Sequence, residues 1–163
     1  MDESLEITFA VVDPARPAGK YMSAEKPGPY ISIADPEPHL SMLVDADEIV
    51  IADDVIRVLY RYPLGTAGPS LEEERHGGWI FEEVAPDGQA FTRADLARVI
   101  CIRYKLMYTE EDGQDAPQYA PGLLNRGYTN GKYGIWGHDI GDLLLHTVRL
   151  NVKTGLYTLG VDS

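Results

Sequence analysis

The stretch L-L-L-H-T-V-R-L-N-V-K-T-G-L-Y-T-L-G-V, residues 143–161, decides the fold. Apolar and polar residues alternate with a period of two on both sides of a turn, as they do in half-buried β-strands. The turn N-V-K-T-G, residues 151–155, ends in a glycine that suits a positive φ angle. The pattern therefore predicts an antiparallel β-hairpin. The residues expected to share one face of its first strand are Leu144, His146, Val148 and Leu150.

Earlier segments with the same alternation, or with runs of β-branched residues, predict the remaining strands. These segments cover residues 5–11, 30–33, 49–51, 55–62 and 78–84. A helix over residues 53–60 is the alternative for the fourth of them. Proline and glycine are frequent in the connecting segments, which predicts irregular structure there. The predicted loops cover residues 13–29, 35–38, 63–78 and 113–137, and residues 85–88 form a turn.

One principal helix is predicted. Thr92 suits the N-cap position, and Asp95 three residues later resembles the acidic partner of a capping box. Apolar residues then follow helical spacing, and Gly113 is expected to stop the helix near residues 108–112. The predicted fold class is thus α+β: a mostly antiparallel sheet of five to seven strands, a helix over about residues 92–110 and a C-terminal β-hairpin.

Composition indicates a single globular domain over residues 1–163, with 44% hydrophobic residues. The chain has one cysteine, Cys101, which predicts a buried inert thiol and an intracellular protein of the cytoplasm or nucleus. No apolar run reaches the roughly 20 residues that a membrane span needs, so no membrane association is expected.

The formal net charge is −12. This charge disfavours nonspecific binding to nucleic acid or to an anionic membrane surface. No basic residue lies between Lys26 and Arg57, although residues 35–54 contain seven acidic ones. The ordinary interpretation of such a run is a solvated surface, and the alternative is a docking surface for a basic partner or a weak cation site.

Cofactor motifs are lacking. Residues 23–26 match S-x-x-K and residues 153–155 match K-T-G, but Pro27 and Pro29, which follow the first motif, argue against the helix that serine β-lactamases require there. No phosphate-binding loop and no EF-hand loop is present in the sequence, so no cofactor is predicted.

Histidine and aspartate are concentrated in G-K-Y-G-I-W-G-H-D-I-G-D-L-L-L-H, residues 131–146. Imidazole and carboxylate groups at His138, Asp142 and His146 would share a face of a helix, which makes them metal-ligand candidates. Glycines in the stretch disfavour that helix. A second hypothesis is acid–base catalysis by His138 with Asp139. A third is a structural bend in which an aspartate bonds backbone N–H groups.

Aromatic residues around this stretch suggest a recognition surface, because tyrosine and tryptophan are frequent at protein interfaces. The partner-binding candidates are Tyr119, Tyr128, Tyr133 and Trp136.

The helix start T-R-A-D-L at residue 92, the motif G-K-Y-G-I-W-G-H-D-I-G-D-L and the final G-V-D-S resemble uncharacterised proteins of large DNA viruses of amoebae and algae. The resemblance covers about residues 91–163. It implies that helix, loop and hairpin form one unit and that the protein acts in an infected host cell. It transfers no catalytic residue.

Three functions follow as hypotheses. The first is a small soluble non-enzymatic module that binds a protein partner through an acidic and aromatic surface. The second is a metal-dependent or acid–base hydrolase-like enzyme centred on His138, Asp139 and Asp142. The third is a structural or virion-associated component that works as a homo-oligomer.

Overall fold

The computed structural model describes residues 4–12, 30–117 and 126–163. The predicted loop over residues 13–29 lies outside these ranges. The described strands are β1 (Glu6–Thr8), β2 (Ile31–Ser32), β3 (Ile49–Ile51), β4 (Val55–Tyr60), β5 (Trp79–Val84), β6 (Phe91–Thr92), β7 (Leu144–Asn151) and β8 (Leu156–Asp162). The helices are α1 (Glu37–Leu40), α2 (Leu71–His76) and α3 (Arg93–Gln114), and a 3₁₀ turn, Ile140–Asp142, precedes β7.

Six strands form the main sheet in the order β1-β7-β8-β4-β5, and β2 pairs with β7 beside β1. Every pair in it is antiparallel except β4 with β8. Strands β3 and β6 form a separate antiparallel pair. The predicted α+β class, the mostly antiparallel sheet and the C-terminal hairpin are confirmed.

Strand β4 decides which face of the sheet carries the core. Ile56, Val58 and Tyr60 are buried, whereas Val55 is exposed and Arg57 is half-buried. Leu59, on the other face, is buried as well. All six residues of β4 pair with β5, so the alternative of a helix over residues 53–60 is wrong.

Helix α3 covers the core face of the sheet. Thr92 accepts a hydrogen bond from the Asp95 N–H at 3.1 Å, which confirms the predicted N-cap. The buried stripe of the helix comprises Leu96, Ala97, Ile100, Cys101, Tyr104, Met107, Tyr108 and Glu111. None of the helices in the described residues is both long enough and apolar enough to cross a membrane.

Two predicted loops contain helices. Helix α1 lies partly within residues 35–38, and α2 lies within residues 63–78. Ser70 and Glu73 form a capping box at the start of α2, and Gly77 ends it with a φ of 68°. The prediction of irregular structure was wrong there, because the proline and glycine residues around α2 favour loops and were given more weight than its capping box.

A β-bulge between Leu145 and Thr147 changes the face that β7 presents. Leu145 and Val148 are both fully buried, and His146 between them is partly exposed. The prediction that His146 and Val148 share a face is therefore wrong. Gly160 makes the bulge possible, because a Cβ at this position would lie 2.4 Å from Cε1 of His146.

Helix α3 does not stop at Gly113 but continues to Gln114. Tertiary bonds hold its last turn: the Gln114 side chain accepts the Lys132 N–H at 2.7 Å, and the next residue, Asp115, accepts the Asn130 N–H at 2.6 Å. These bonds outweigh the poor helix propensity of glycine.

Replacing Gly113 with alanine is expected to raise the free energy of unfolding by about 0.8 kcal/mol, because alanine favours the helical conformation. The matched control is Gly155, since an added Cβ meets no atom within 4 Å at either site but the φ of Gly155 is +71°. Gly155→Ala is expected to lower the free energy of unfolding by about 1 kcal/mol. Urea denaturation measures both changes, and effects of the same sign would contradict this description of α3.

Candidate functional site

A bend after residue 126 is anchored on the buried carboxylate of Glu111. This side chain is 0% exposed and accepts hydrogen bonds from Thr129 Oγ1 at 2.9 Å and from the backbone N–H groups of Tyr133 and Gly134 at 2.8 and 3.1 Å. A Cβ at Gly131 would lie 2.6 Å from the same carboxylate. Glu111 thus fixes the path of the chain that leads to Trp136.

Three rings meet where this bend passes the end of β4, and we call Tyr62, Trp136 and His138 the aromatic cluster. Their ring centroids lie 5.4 to 5.7 Å apart, and the rings of Tyr62 and Trp136 are perpendicular. The Tyr62 hydroxyl lies 2.8 Å from Ser163 Oγ. Trp136 is 42% exposed, so the cluster offers a preorganised aromatic surface to solvent.

A pocket of about 250 Å³ with mixed polar and apolar walls adjoins the aromatic cluster. The residues that line it are Leu59, Arg61, Tyr62, Tyr104, Leu159 and Val161. The Tyr104 hydroxyl donates to the Tyr62 carbonyl at 2.8 Å, which ties the pocket wall to helix α3. Its size suits one aliphatic side chain from a binding partner.

His138 takes part in the cluster through its ring and in the fold through its backbone. Its carbonyl accepts a hydrogen bond from the Tyr108 hydroxyl at 2.8 Å, and burial raises the pKa of Tyr108, which keeps this donor protonated. Among the described residues, no carboxylate forms a hydrogen bond or ion pair with the His138 ring. The catalytic hypothesis requires such a partner to orient the imidazole.

The aspartates of the stretch hold the backbone of the turn before β7. The Asp142 carboxylate accepts the Asp139 N–H at 3.2 Å, and Asp139 Oδ1 lies 3.9 Å from a terminal nitrogen of Arg126. The Arg126 guanidinium is buried, bonds Asp112 at 2.7 Å and lies over the Tyr108 ring. The bond from Asp142 to a backbone N–H is of the kind that the hypothesis of a structural bend describes, whereas the contacts of Arg126 were not predicted.

The metal-ligand candidates His138, Asp142 and His146 are not brought together. His138 lies in the aromatic cluster, whereas the His146 ring lies 5.2 Å from Tyr30, and its Nε2 lies 3.7 Å from Asp162. The described residues include no group of three or more His, Cys, Asp or Glu side chains arranged to hold a metal ion.

The aromatic partner-binding candidates have different surroundings. Trp136 and Tyr128 are exposed, by 42% and 53%. Tyr133 is in the core, where its hydroxyl donates to Glu110 at 2.8 Å, so it offers no surface on the folded chain. Tyr119 lies outside the described residues.

The acidic run and the aromatic cluster lie at opposite ends of strand β4. Asp53 and Asp54 precede the strand, and Tyr62 follows it. The six residues of β4 span about 20 Å. Part of the run is also neutralised, because Arg98 bonds Glu37 and Arg93 bonds Glu48.

Cys101 is fully buried in α3, as predicted. Burial raises the pKa of its thiol to about 12. Since the thiolate is the nucleophilic form, the side chain is inert near neutral pH.

Sequence patterns did not indicate Tyr62, Glu111 or Arg126 as parts of this site. Tyr62 and Trp136 lie far apart along the chain, and no local motif connects them. For Glu111 the available signal was an acidic residue at an apolar position of a helical stripe, next to Met107 and Tyr108.

Comparison of the chain with protein-family models, with curated proteins and with solved structures gives no match. The resemblance to viral proteins therefore stays a prediction.

Proposed function

We propose that the protein is a non-enzymatic interaction module that binds a segment of a partner protein on the aromatic cluster and the adjoining pocket. The observation that carries this proposal is the exposure of Trp136, whose indole contacts the rings of both Tyr62 and His138. Rigid aromatic side chains of this kind contribute most of the affinity in many interfaces, because little entropy is lost when they are covered.

The chemistry of the surface favours a partner segment with an aliphatic side chain and neighbouring lysine or arginine residues. The aliphatic side chain would fill the pocket beside Tyr62. Lysine or arginine would lie over the exposed Trp136 face, an interaction worth about 0.5–1 kcal/mol at such sites. The net charge of −12 attracts a basic segment and repels an acidic one.

Selection of binders from a random peptide library on the immobilised protein tests the proposal. We expect the selected peptides to combine one aliphatic residue with basic ones. Trp136→Ala is expected to weaken their binding by about thirtyfold, the effect of losing roughly 2 kcal/mol at an interface hot spot. Fluorescence polarisation with synthetic peptides measures the affinities.

Leu71 provides the matched control, because its side chain is 80% exposed on α2. Leu71→Ala is expected to leave peptide affinity within about twofold, since exposed residues outside the interface contribute little. The proposal fails if no peptide binds saturably, if the selected peptides are acidic, or if Trp136→Ala and Leu71→Ala have equal effects.

The enzymatic hypothesis for His138 with Asp139 and the hypothesis of an oligomeric or virion-associated component remain predictions. No contact of the described residues favours either of them over the interaction module.

A further inference from the structure

A second concave surface lies on the face of the main sheet opposite α3. It is a cleft of about 490 Å³ whose cationic residues are Arg61, Arg149 and Lys153, and we call it the basic cleft. None of the described residues that line it is acidic. Such a concentration of positive charge is unexpected in a chain with a net charge of −12.

The register of the sheet brings the two arginines to one face, and Lys153 lies in the hairpin turn at the other end of the cleft. Arg149 of β7 pairs with Thr158 of β8, which pairs in turn with Leu59 of β4. Arg61 follows Leu59 by two residues, so both lie on the same face. Two strand spacings, about 10 Å, separate β7 from β4, and two arginine side chains can reach one ligand across that distance.

Two of the three cations of the basic cleft, Arg61 and Lys153, form no ion pair with a described residue, and the third, Arg149, is paired with Glu6. Within the part of the chain that the structure describes, the lysines and arginines that form no ion pair are Arg61, Arg75, Lys105 and Lys153. Two of these four line the cleft. Arg149 bonds Glu6 through Nε at 2.9 Å, which leaves its terminal nitrogens as free donors.

The hairpin turn supplies the remaining contacts. Asn151 Oδ1 accepts the Lys153 N–H at 3.0 Å, which fixes the turn and leaves the Asn151 amide NH₂ as a donor. Val152 also lines the cleft and provides apolar surface, whereas the side chain of Leu150 packs against the core on the other face of the sheet. Polar donors and apolar surface side by side are the usual composition of a small-molecule site.

We propose that the basic cleft binds a small organic phosphate monoester, with the phosphate between Arg61 and Arg149, Lys153 adding positive charge from the hairpin turn, and the organic part on Val152. The three cations and Glu6 sum to a local charge of +2, which matches a dianionic phosphate better than a carboxylate. Guanidinium groups bind phosphate oxygens through paired hydrogen bonds. At hydrogen-bond distance, the attraction of these cations for phosphate outweighs the repulsion by acidic residues elsewhere on the protein, because salt screens charges beyond about 8 Å.

Titration with phenyl phosphate tests the proposal by calorimetry and by backbone amide NMR. We expect saturable binding, with shifts confined to the end of the hairpin and to the residues after β4. Arg61→Gln and Lys153→Gln are each expected to weaken binding by about tenfold, the effect of losing one charge-assisted contact. Benzoate has the same aromatic ring as phenyl phosphate but carries a single negative charge. It is expected to bind about tenfold more weakly than phenyl phosphate.

Arg75→Gln is the matched control, because Arg75 is another exposed arginine without an ion pair but lies outside the cleft. It should leave phenyl phosphate affinity within about twofold, as expected for a distant surface charge. Trp136→Ala should also leave it unchanged, because Trp136 does not line the basic cleft, although Arg61 lines both the cleft and the pocket beside the aromatic cluster. The proposal is overturned if binding does not saturate, if benzoate binds equally well, or if Arg75→Gln weakens binding as much as Arg61→Gln.

Discussion

Replacing Glu111 with alanine is expected to lower the free energy of unfolding by about 4 kcal/mol, because it removes a buried acceptor from three donors, of which only Thr129 Oγ1 keeps another acceptor, the Ile135 carbonyl. These donors are Thr129 Oγ1 and the N–H groups of Tyr133 and Gly134. Water does not reach them easily, since Thr129 and Tyr133 are buried. Denaturation by urea, followed by circular dichroism, measures the loss.

Glu110 is the matched control for this change. Its side chain is also a glutamate of α3 and also bonds the bend, through the Tyr133 hydroxyl and Lys132 Nζ, but it is exposed. Glu110→Ala is expected to cost less than about 1 kcal/mol, since water replaces an exposed acceptor. Equal effects of the two changes would show that Glu111 does not organise the bend.

Glu111 also connects stability with the proposed binding surface. The segment it holds continues directly to Trp136 and His138. Peptide affinity should therefore fall in Glu111→Gln at temperatures where the variant is still folded, because the amide keeps the side-chain volume but places an NH₂ group among donors.

Arg103→Met is expected to lower the free energy of unfolding by about 3 kcal/mol, because it leaves the buried Glu83 carboxylate without its counter-ion. Arg103 Nε bonds Glu83 Oε1 at 2.8 Å, and the guanidinium lies 4.3 Å from the centre of the Phe81 ring. Tyr60 donates to the same oxygen at 3.0 Å, and burial together with the Glu83 carboxylate raises the pKa of this hydroxyl.

A double-mutant cycle distinguishes the free-energy contribution of the Arg103–Glu83 ion pair from that of the packing of the Arg103 side chain. Adding Glu83→Gln to Arg103→Met removes the unpaired charge and should restore at least about 1 kcal/mol. Arg57→Met serves as the control, because the Arg57–Glu72 pair is about 40% exposed on both sides. It should cost less than about 1 kcal/mol, as exposed ion pairs do. A large loss in the control and none at Arg103 would overturn this ranking.

Sequence patterns predicted those parts of the fold whose signals are local. The Thr92 cap, the turn at residues 151–155 and the alternation in β4 each lie within a few neighbouring residues. The α2 capping box of Ser70 and Glu73 is also a local signal, so the sequence contains enough information to predict the start of this helix.

Other features depend on contacts between distant residues and have no local pattern. The bulge at His146 requires Gly160 on the neighbouring strand, and a glycine inside a strand pattern is a weak sign of such a bulge. Helix α3 continues beyond Gly113 because backbone N–H groups of the later bend donate hydrogen bonds to side chains at the C-terminal end of the helix. In the candidate site, Trp136 and His138 were identified as candidates, but Tyr62 joins them only through the fold.

The place of the C-terminal hairpin in the sheet bears on how fast the protein folds. Strand β7 pairs with β1 and β2 from the start of the chain, and β8 pairs with β4 from its middle. The hairpin forms quickly by itself, in about 1–10 μs, but docking it on both sides closes long loops. We expect a slow, rate-limiting step in which the hairpin unites the two halves of the sheet, as in other folds of high contact order.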